Sequence, residues 1–151
     1  LACNTGHMVF NELQKQSPIP LVSIVETACT EAKRQGLKKI GLLGTAATME
    51  DNYFKIPFEK AGIEIKIPKQ TERDYIADHI LSELELGIVK EETVNHFVEI
   101  VEEMSKIQNI DAVILGCTEL PLIFEGRNLS IPSLDTMQLH IQALIQAILE
   151  E

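Results

Sequence analysis

Several residue types are scarce in this sequence of 151 residues. Tryptophan is absent and aromatic residues make up only 5% of the chain, which disfavours a platform for stacking nucleic-acid bases. Positive charge is also scarce, because 13 Lys and Arg stand against 23 Asp and Glu for a formal net charge of −10. A phosphate backbone calls for a basic patch, so the sequence predicts no nucleic-acid partner. No apolar run reaches the length that spans a bilayer, so it also predicts no membrane partner.

Cysteine is limited to Cys3, Cys29 and Cys117. An odd number at wide spacing argues against a disulfide framework, and no CxxC or Cys/His cluster suggests zinc. No signal peptide is visible. Free thiols in an acidic chain fit a reducing compartment, so the cytoplasm is the predicted location.

Apolar segments of strand and helix length alternate along the chain, which favours an α/β fold with a parallel sheet. We predict strands over 38–45, 63–68, 111–116 and 131–134. We predict helices over 4–16, 21–35, 49–61, 72–86, 91–108 and 136–149. Thr71 with Asp74 and Asp135 with Gln138 resemble capping pairs for the helices that follow them.

Polar turns follow the predicted strands, and in open α/β sheets ligands bind beyond the carboxyl ends of the strands. GTAATM (44–49) and GCTE (116–119) lie at two such ends, and CNT (3–5) follows a strand if one precedes it. Each turn carries hydroxyls, and two of them carry a thiol. We therefore expect the three turns to meet in one small carboxylate-binding site.

Two of these turns place a cysteine near the start of a helix. The partial positive charge there stabilises a thiolate, which predicts a lowered thiol pKa for Cys3 and Cys117. Two thiols on opposite sides of a bound carboxylic acid suggest inversion of a stereocentre, in which one thiolate removes a proton and the other thiol returns one. No pyridoxal-phosphate lysine motif or nucleotide loop is apparent, which agrees with a reaction that needs no cofactor.

Together, CNTGH, GLLGTAATM and GCTELPL resemble the aspartate/glutamate racemase superfamily, in order and in spacing over essentially the whole chain. The resemblance implies a two-domain, pseudo-symmetric α/β fold with the active site between the domains. It also implies a small amino-acid substrate, a homodimer, two catalytic cysteines, and neither metal nor cofactor.

The resemblance assigns roles residue by residue. Cys3 and Cys117 match the two catalytic cysteines. Asn4, Thr5 and Thr48 match positions that bind the α-carboxylate, and Thr118 matches a substrate contact. Glu119 stands where the glutamate branch has His, which is similar to the aspartate branch and adds Glu119 to the expected substrate-binding residues.

The sequence departs from the family in two ways. The upstream half of the first domain is not in this sequence, so we expect a partial first domain over 1–19, the second domain over 20–127 and a return to the first domain over 128–151. Relatives specific for acidic amino acids often carry Lys just before the glycine that corresponds to Gly87, where this chain has Leu86. Lys90 is a candidate substitute.

Other polar residues have a structural interpretation beside the functional one. Cys29 lies on the apolar side of a helix and is expected to be a buried apolar residue. His7 lies either near the site or on a helix surface, and His140 either points back to the cleft or does not. Glu119 either tunes the second thiol or caps the next helix.

Two alternatives to a racemase remain at this point. A small-molecule binding protein on the same fold would keep the carboxylate turns without turnover. A decarboxylase or other isomerase of the superfamily often keeps only one of the two cysteines, whereas both are present here.

Overall fold

Four parallel strands form the only sheet found in residues 1–149, which are the residues that the computed structural model describes. In spatial order the strands are β2, β1, β3 and β4. Their bounds are Lys39–Gly44 for β1, Glu64–Lys66 for β2, Ala112–Gly116 for β3 and Ser133–Asp135 for β4. The predicted α/β class with a parallel sheet is confirmed.

Eight α-helices connect and cover the strands within the described residues. Their bounds are Phe10–Gln16 for α1, Ile24–Arg34 for α2, Ala46–Glu50 for α3, Asn52–Lys60 for α4, Gln70–Ser82 for α5, Glu91–Gln108 for α6, Pro121–Phe124 for α7 and Thr136–Leu149 for α8. Two 3₁₀ segments, Thr5–Val9 and Leu84–Leu86, precede α1 and follow α5. None of these helices is both long and apolar enough to cross a bilayer.

Strand alternation divides the core into two clusters. In β3, Val113 and Leu115 point to the cluster formed with α5, α6 and α7, while Ala112 and Ile114 point to the cluster formed with α2 and α4. Successive side chains of a strand face opposite sides of its sheet, so a strand that is apolar throughout needs a helix layer on each side. The result is a three-layer arrangement.

Several predicted helices are divided or shifted. The predicted helix over 4–16 changes from 3₁₀ to α at Val9, which has φ −108° and ψ 11°. The helix predicted over 49–61 is interrupted at Asp51, whose extended backbone ends α3 and whose carboxylate accepts a hydrogen bond from the Tyr53 N–H at 3.1 Å. Short polar side chains favour such caps over helix interiors.

The predicted cap at Thr71 is wrong, because α5 begins at Gln70, two residues before the predicted start, and Lys69 at its N-cap makes no side-chain hydrogen bond. The cap at Asp135 is confirmed, since its carboxylate accepts hydrogen bonds from Met137 N and Gln138 N at 2.9 and 3.0 Å. Helix α7 was not predicted. It is a single turn that begins at Pro121, a residue suited to the first helical position.

The last described segment joins the same sheet as the rest of the chain. Strand β4 pairs with β3, and His140 of α8 bonds through Nε2 to the Val22 carbonyl at 2.9 Å, just before α2. The division into parts 1–19, 20–127 and 128–151 stays a prediction. Residues 150 and 151 of the third part lie outside the described residues.

Candidate active site

The carboxyl ends of β1 and β3 come very close together. Gly44 and Gly116 are paired in register, and a Cβ on Gly116 would lie 2.7 Å from the Leu43 carbonyl oxygen. A Cβ on Gly44 would lie 2.9 Å from Cγ2 of Thr48. Both strands therefore end in glycine because Thr48 and a neighbouring backbone fill the space that a side chain would need.

A cluster of hydroxyls lies at this edge of the sheet. Thr5 Oγ1 is 2.9 Å from Thr45 Oγ1, and Thr45 donates to Thr48 Oγ1 at 3.2 Å. Thr48 Oγ1 is also 2.9 Å from Tyr53 Oη. These bonds join the CNT turn to the turn after β1, as the sequence predicted for Thr5 and Thr48. The link between Thr5 and Thr45 was missed, since no local pattern marks a pair of hydroxyls 40 residues apart. The contact of Tyr53 with Thr48 was missed as well.

Asn4 is buried and connects the first turn to the start of α8. Its Nδ2 donates to Thr136 Oγ1 at 3.0 Å, and the Thr136 hydroxyl donates to the Leu115 carbonyl at 2.8 Å. Asn4 therefore reaches the end of β3 through Thr136. No local pattern marks Thr136, because 132 residues separate it from Asn4.

Cys3 is exposed, and its sulfur accepts a hydrogen bond from the Gly6 N–H at 3.4 Å. The carbonyl of Cys3 is 2.8 Å from His7 Nδ1, while Ile24 N–H donates to His7 Nε2 at 3.0 Å. Since Nε2 accepts a hydrogen bond from Ile24, the proton of the neutral ring is on Nδ1. Nδ1 therefore donates a hydrogen bond to the Cys3 carbonyl oxygen. His7 thus ties the first turn to the start of α2.

Of the two positions left open for His7, the helix surface is wrong, because the side chain is buried and stacks on Phe10 with ring centroids 4.7 Å apart. Burial lowers the pKa of His7 below its usual 6.5, although the hydrogen bond to Cys3 acts in the opposite direction. A neutral imidazole with both nitrogens in use serves to position the backbone of Cys3.

Cys117 lies just after β3 and contacts a carboxylate. Its thiol donates to Glu119 Oε2 at 2.9 Å. Burial and this hydrogen bond raise the pKa of Cys117 to about 12. The predicted lowering is therefore wrong for Cys117: α7 begins only at Pro121, and desolvation with a neighbouring carboxylate outweighs any helix effect.

Glu119 contacts the thiol and caps no helix, since α7 has no side-chain cap. Burial acts to raise the pKa of Glu119, but hydrogen bonds from Cys117 and Thr118 lower it overall. A charged carboxylate beside a neutral thiol is the result. Thr118 itself is half-buried and supports Glu119.

The remaining candidates have structural partners. Lys90 Nζ is 2.7 Å from Glu83 Oε1, and the Thr93 hydroxyl donates to the other oxygen of Glu83 at 2.6 Å. Cys29 is buried and its thiol donates to the Pro57 carbonyl at 3.5 Å, so its apolar, structural interpretation agrees with its contacts. His140 is buried and its Nε2 is 2.9 Å from the Val22 carbonyl oxygen.

All three cysteines are free. Hydrogen bonds join the Cys3 turn to the hydroxyl cluster after β1 and, through Asn4 and Thr136, to Leu115 near the end of β3. Within residues 1–149, no group of three or more His, Cys, Asp or Glu side chains is arranged to hold a metal ion.

Residues 1–144 match the family described as Asp/Glu/hydantoin racemase. The chain belongs to this family. The resemblance that the three sequence motifs carried to the aspartate/glutamate racemase superfamily is therefore confirmed.

Curated relatives include glutamate racemases from several bacteria. The chain is 27% identical over 124 residues to that of Limosilactobacillus reuteri strain DSM 20016, which covers 82% of this chain and 45% of the relative. It is 30% identical over 125 residues to that of Aquifex pyrophilus, with 82% and 46% covered. The chain thus spans about half the length of these relatives.

Solved structures share the fold over nearly all of the chain. An Asp/Glu racemase homologue from Yersinia pestis, 33% identical, superposes with a TM-score of 0.89 over 97% of this chain and 64% of its own. An aspartate racemase homologue from Pyrococcus horikoshii OT3, 34% identical, gives 0.85 over 96% and 63%. A glutamate racemase from Francisella tularensis in complex with D-glutamate, 23% identical, shares the fold with a TM-score of 0.79 over 99% and 56%.

Proposed function

We propose that the protein is a cofactor-independent amino-acid racemase of the aspartate type, in which Cys3 and Cys117 exchange protons with Cα from opposite faces. Family membership, the Cys117 thiol directly beyond the end of β3 and the hydrogen bond that joins the Cys3 turn to the hydroxyl cluster support this function. The observation that carries it is the hydrogen bond from the Cys117 thiol to Glu119, because it keeps a proton on sulfur and places a proton acceptor beside it.

In one direction the Cys3 thiolate removes the α-proton. The Cα–H bond breaks, an S–H bond forms on Cys3, and the electron pair stays on Cα and its carboxylate. The Cys117 S–H bond then breaks as its proton moves to the other face of Cα, which leaves a thiolate on Cys117. A pKa raised to about 12 suits Cys117 to this acid role.

In the opposite direction Cys117 acts as the base and must first lose its proton. Glu119 is the acceptor 2.9 Å away. Because the pKa of Cys117 is raised to about 12 and that of Glu119 is lowered, the proton lies on sulfur and its transfer to Glu119 costs free energy. The pair thus lets one buried thiol serve as acid and, through Glu119, as base.

The carbanion needs stabilisation at the carboxylate that gathers its charge. The hydroxyls of Thr5, Thr45 and Thr48 form a compact set of donors at the same sheet edge as the two cysteine turns. Their hydroxyl protons form hydrogen bonds within the cluster. Rotation of the hydroxyls lets them donate to a bound carboxylate while the backbone of the turn stays in place. Lys90 is paired with Glu83 and has no assigned role at the side chain of aspartate.

We also infer that the protein is a homodimer in the cytoplasm. The resemblance implies the dimer, and a row of exposed apolar side chains on α8 supports it. Ile141, Ile145 and Ile148 are 48%, 52% and 71% exposed. Sedimentation equilibrium measures the mass directly, and a monomer at all concentrations would contradict the dimer.

Amino-acid inversion and Cα–H exchange in heavy water test the mechanism together. We expect the protein to convert either enantiomer of aspartate and to incorporate deuterium at Cα. Cys3→Ala and Cys117→Ala are each expected to abolish inversion. Each variant retains exchange of one enantiomer at most, and the two variants differ in which enantiomer that is, because one thiol faces only one side of Cα.

Cys29→Ala is the matched control, since Cys29 is a buried cysteine that bonds to Pro57 instead of the site. It is expected to keep inversion and exchange. Near-normal turnover in both directions by either Cys3→Ala or Cys117→Ala would refute the two-base mechanism. Binding of amino acids without any exchange would instead identify a binding protein on this fold.

A further inference from the structure

Tyr53 is a half-buried residue whose hydroxyl reaches the threonine cluster from a different helix. It lies in the first turn of α4, where its N–H donates to the Asp51 carboxylate at 3.1 Å, and its Oη is 2.9 Å from Thr48 Oγ1. In a continuous α-helix, residues five apart lie on different faces, about 140° from one another. The interruption of the helix at Asp51 therefore brings Tyr53 onto Thr48.

The direction of each hydrogen bond in the cluster follows from counting protons, since a threonine oxygen has one proton and two acceptor positions. Thr45 donates its proton to Thr48 Oγ1 at 3.2 Å, so its own oxygen accepts the Thr5 proton across 2.9 Å. A phenol is more acidic than an aliphatic hydroxyl, and Tyr53 is accordingly the donor toward Thr48. Thr48 Oγ1 thus accepts two hydrogen bonds from its neighbours.

The proton of Thr48 itself is left without a short hydrogen bond among the residues that the structure describes. It faces Thr5 Oγ1 at 3.4 Å, which is longer than the usual O–H···O distance of about 2.7–2.8 Å. A carboxylate is a stronger acceptor than a hydroxyl, because its oxygens are charged. The Thr48 proton is consequently the one in the cluster that a bound carboxylate can take without breaking a short bond.

Tyr53 keeps its own proton in this arrangement. Burial raises the pKa of Tyr53 above its usual 10, although the hydrogen bond with Thr48 acts in the opposite direction. The negative charges of Asp51 and of a Cys3 thiolate raise this pKa further. The phenol therefore stays a neutral donor while the first cysteine acts as a base.

We propose that Tyr53 is a positioning residue for the racemisation, which donates to Thr48 and thereby directs the Thr48 proton to the substrate carboxylate. The proposal rests on the proposed function, because it concerns a group that stabilises the carbanion. The carboxylate gathers charge as the α-proton leaves, and hydrogen bonds in a chain polarise one another. Tyr53 therefore strengthens the bond from Thr48 most in the transition state, which affects kcat more than KM.

Steady-state kinetics of Tyr53→Phe, which removes the hydroxyl and keeps the ring, tests the proposal. We expect kcat for the inversion of aspartate to fall about tenfold with KM within about twofold, a smaller loss than that of a direct oxyanion donor. Tyr75→Phe is the matched control, since it makes the same change at a tyrosine of α5 that stacks on His79, and it is expected to alter neither constant. An unchanged kcat in Tyr53→Phe, or a rise in KM alone, would overturn the proposal.

A double-mutant cycle shows whether Tyr53 acts through Thr48. Thr48→Val removes the donor itself but keeps the methyl group that lies over Gly44 and Gly116, and it is expected to lower kcat about hundredfold. In the Thr48→Val background, Tyr53→Phe is then expected to lower kcat by less than about twofold, because no Thr48 proton is left to direct. A further tenfold loss in that background would show that the two residues act independently and would refute the proposal.

A cavity beside Tyr53 allows a second variant to be tested by chemical rescue. The cavity has a volume of about 220 Å³, and its lining includes His7 and Phe10 together with Tyr53. Tyr53→Ala leaves a further ring-sized space next to Phe54, and a space between apolar side chains binds a small aromatic molecule. Phenol is expected to raise the kcat of this variant about fivefold or more, whereas benzene, which lacks the hydroxyl, is expected to raise it less than about twofold. Failure of phenol to restore more activity than benzene would show that Tyr53 only fills space.

The wild-type protein separates the failure of this proposal from that of the proposed function. A wild type that neither inverts aspartate nor exchanges its Cα–H refutes the racemase function and, with it, the role of Tyr53. Equal inversion by the wild type and by Tyr53→Phe refutes the role of Tyr53 alone. Circular dichroism and thermal unfolding of each variant show that any loss of turnover occurs in folded protein.

Discussion

At the scale of single residues, the three cysteines of this chain have three different environments. Cys3 is exposed at the first turn, Cys29 bonds to a backbone carbonyl in the core, and Cys117 donates to the carboxylate of Glu119. Burial and a neighbouring carboxylate both favour the thiol over the thiolate, which raises the pKa of Cys117 to about 12. The hydrogen bond to a carboxylate therefore distinguishes Cys117, the candidate acid, from Cys29, whose hydrogen bond goes to a backbone carbonyl.

Replacing Glu119 with Gln removes the proton acceptor while keeping the size of the side chain. We expect turnover to fall about hundredfold, in the range lost with a general acid–base group, because Cys117 can no longer pass its proton to residue 119. Two enantiomers have equal free energy in water, so kcat/KM must fall equally in both directions. Steady-state kinetics with each enantiomer of aspartate measures this.

Glu125→Gln is the matched control, since Glu125 is an exposed glutamate that follows α7. It is expected to leave turnover unchanged. Unchanged kinetics in Glu119→Gln itself would show that the thiol–carboxylate bond has no part in proton transfer. A loss in KM alone would assign Glu119 to substrate binding instead.

At the scale of elements, the ends of β1 and β3 determine where the site lies. Parallel strands bring their carboxyl ends to the same edge of the sheet, so the turns after β1 and β3 become neighbours although they are far apart in sequence. Gly44 and Gly116 let these ends approach closely enough for Thr48 to rest over both of them. The hydroxyl cluster depends on this close approach.

Two glycine substitutions in the strands are expected to differ. In Gly116→Ala the new Cβ meets the Leu43 carbonyl at 2.7 Å, and a backbone atom cannot move without separating β1 from β3. In Gly41→Ala the Cβ meets the ends of the Ile110 and Met104 side chains, which can rotate away. We expect Gly116→Ala to lower the free energy of unfolding by about 1–3 kcal/mol and Gly41→Ala to cost less than that.

Urea denaturation of both variants checks this difference. The larger loss for Gly116→Ala should be accompanied by weaker amino-acid binding, because Thr48 is displaced with the strand end. Equal losses of stability for the two variants would contradict the argument that backbone contact, and not side-chain contact, sets the cost.

At the scale of the whole molecule, buried histidines hold distant segments of the chain to the start of α2. His7 receives the Ile24 N–H, and His140 bonds to the Val22 carbonyl. The first turn and α8 are therefore both fixed to residues 22–24. His7 must remain neutral in this arrangement, because a proton on Nε2 would face the Ile24 N–H.

This requirement makes stability depend on pH. The pKa of His7 is lowered by burial in the folded state, while the unfolded chain has the usual value near 6.5. Below that pH the unfolded state binds the proton more readily, so its population rises and stability falls as the solution is acidified. The loss from this one group is at most about 1.4 kcal/mol per pH unit.

Urea unfolding between pH 7.5 and pH 5, together with a nuclear magnetic resonance titration of the imidazoles, measures the effect. His96→Gln is the control, because the side chain of His96 on α6 is 42% exposed, whereas that of His7 is buried. Its pH dependence should match that of the wild type, whereas His7→Gln should lose the acid-dependent part. A His7 that titrates above 6.5 would reverse the sign and contradict the prediction.

Predictions from sequence succeeded where local patterns carry the information. The bounds of α6 were predicted as 91–108 and are Glu91–Gln108, because its amphipathic period and its ends are encoded in consecutive residues. The interruption of the helix at Asp51 and the extra turn α7 were missed. Both depend on short polar or proline residues whose effect is decided by neighbouring elements.

The same distinction applies to the site. The sequence sufficed to predict a parallel α/β sheet and the three turns that carry the candidate site residues. Strand periodicity and turn motifs are both properties of neighbouring residues. Only the tertiary structure decided that Thr45 links two turns, that Thr136 orients Asn4, and that Cys117 is a firmly protonated thiol. Hydrogen-bond partners and burial depend on chain segments that are distant in sequence, so no local pattern contains them.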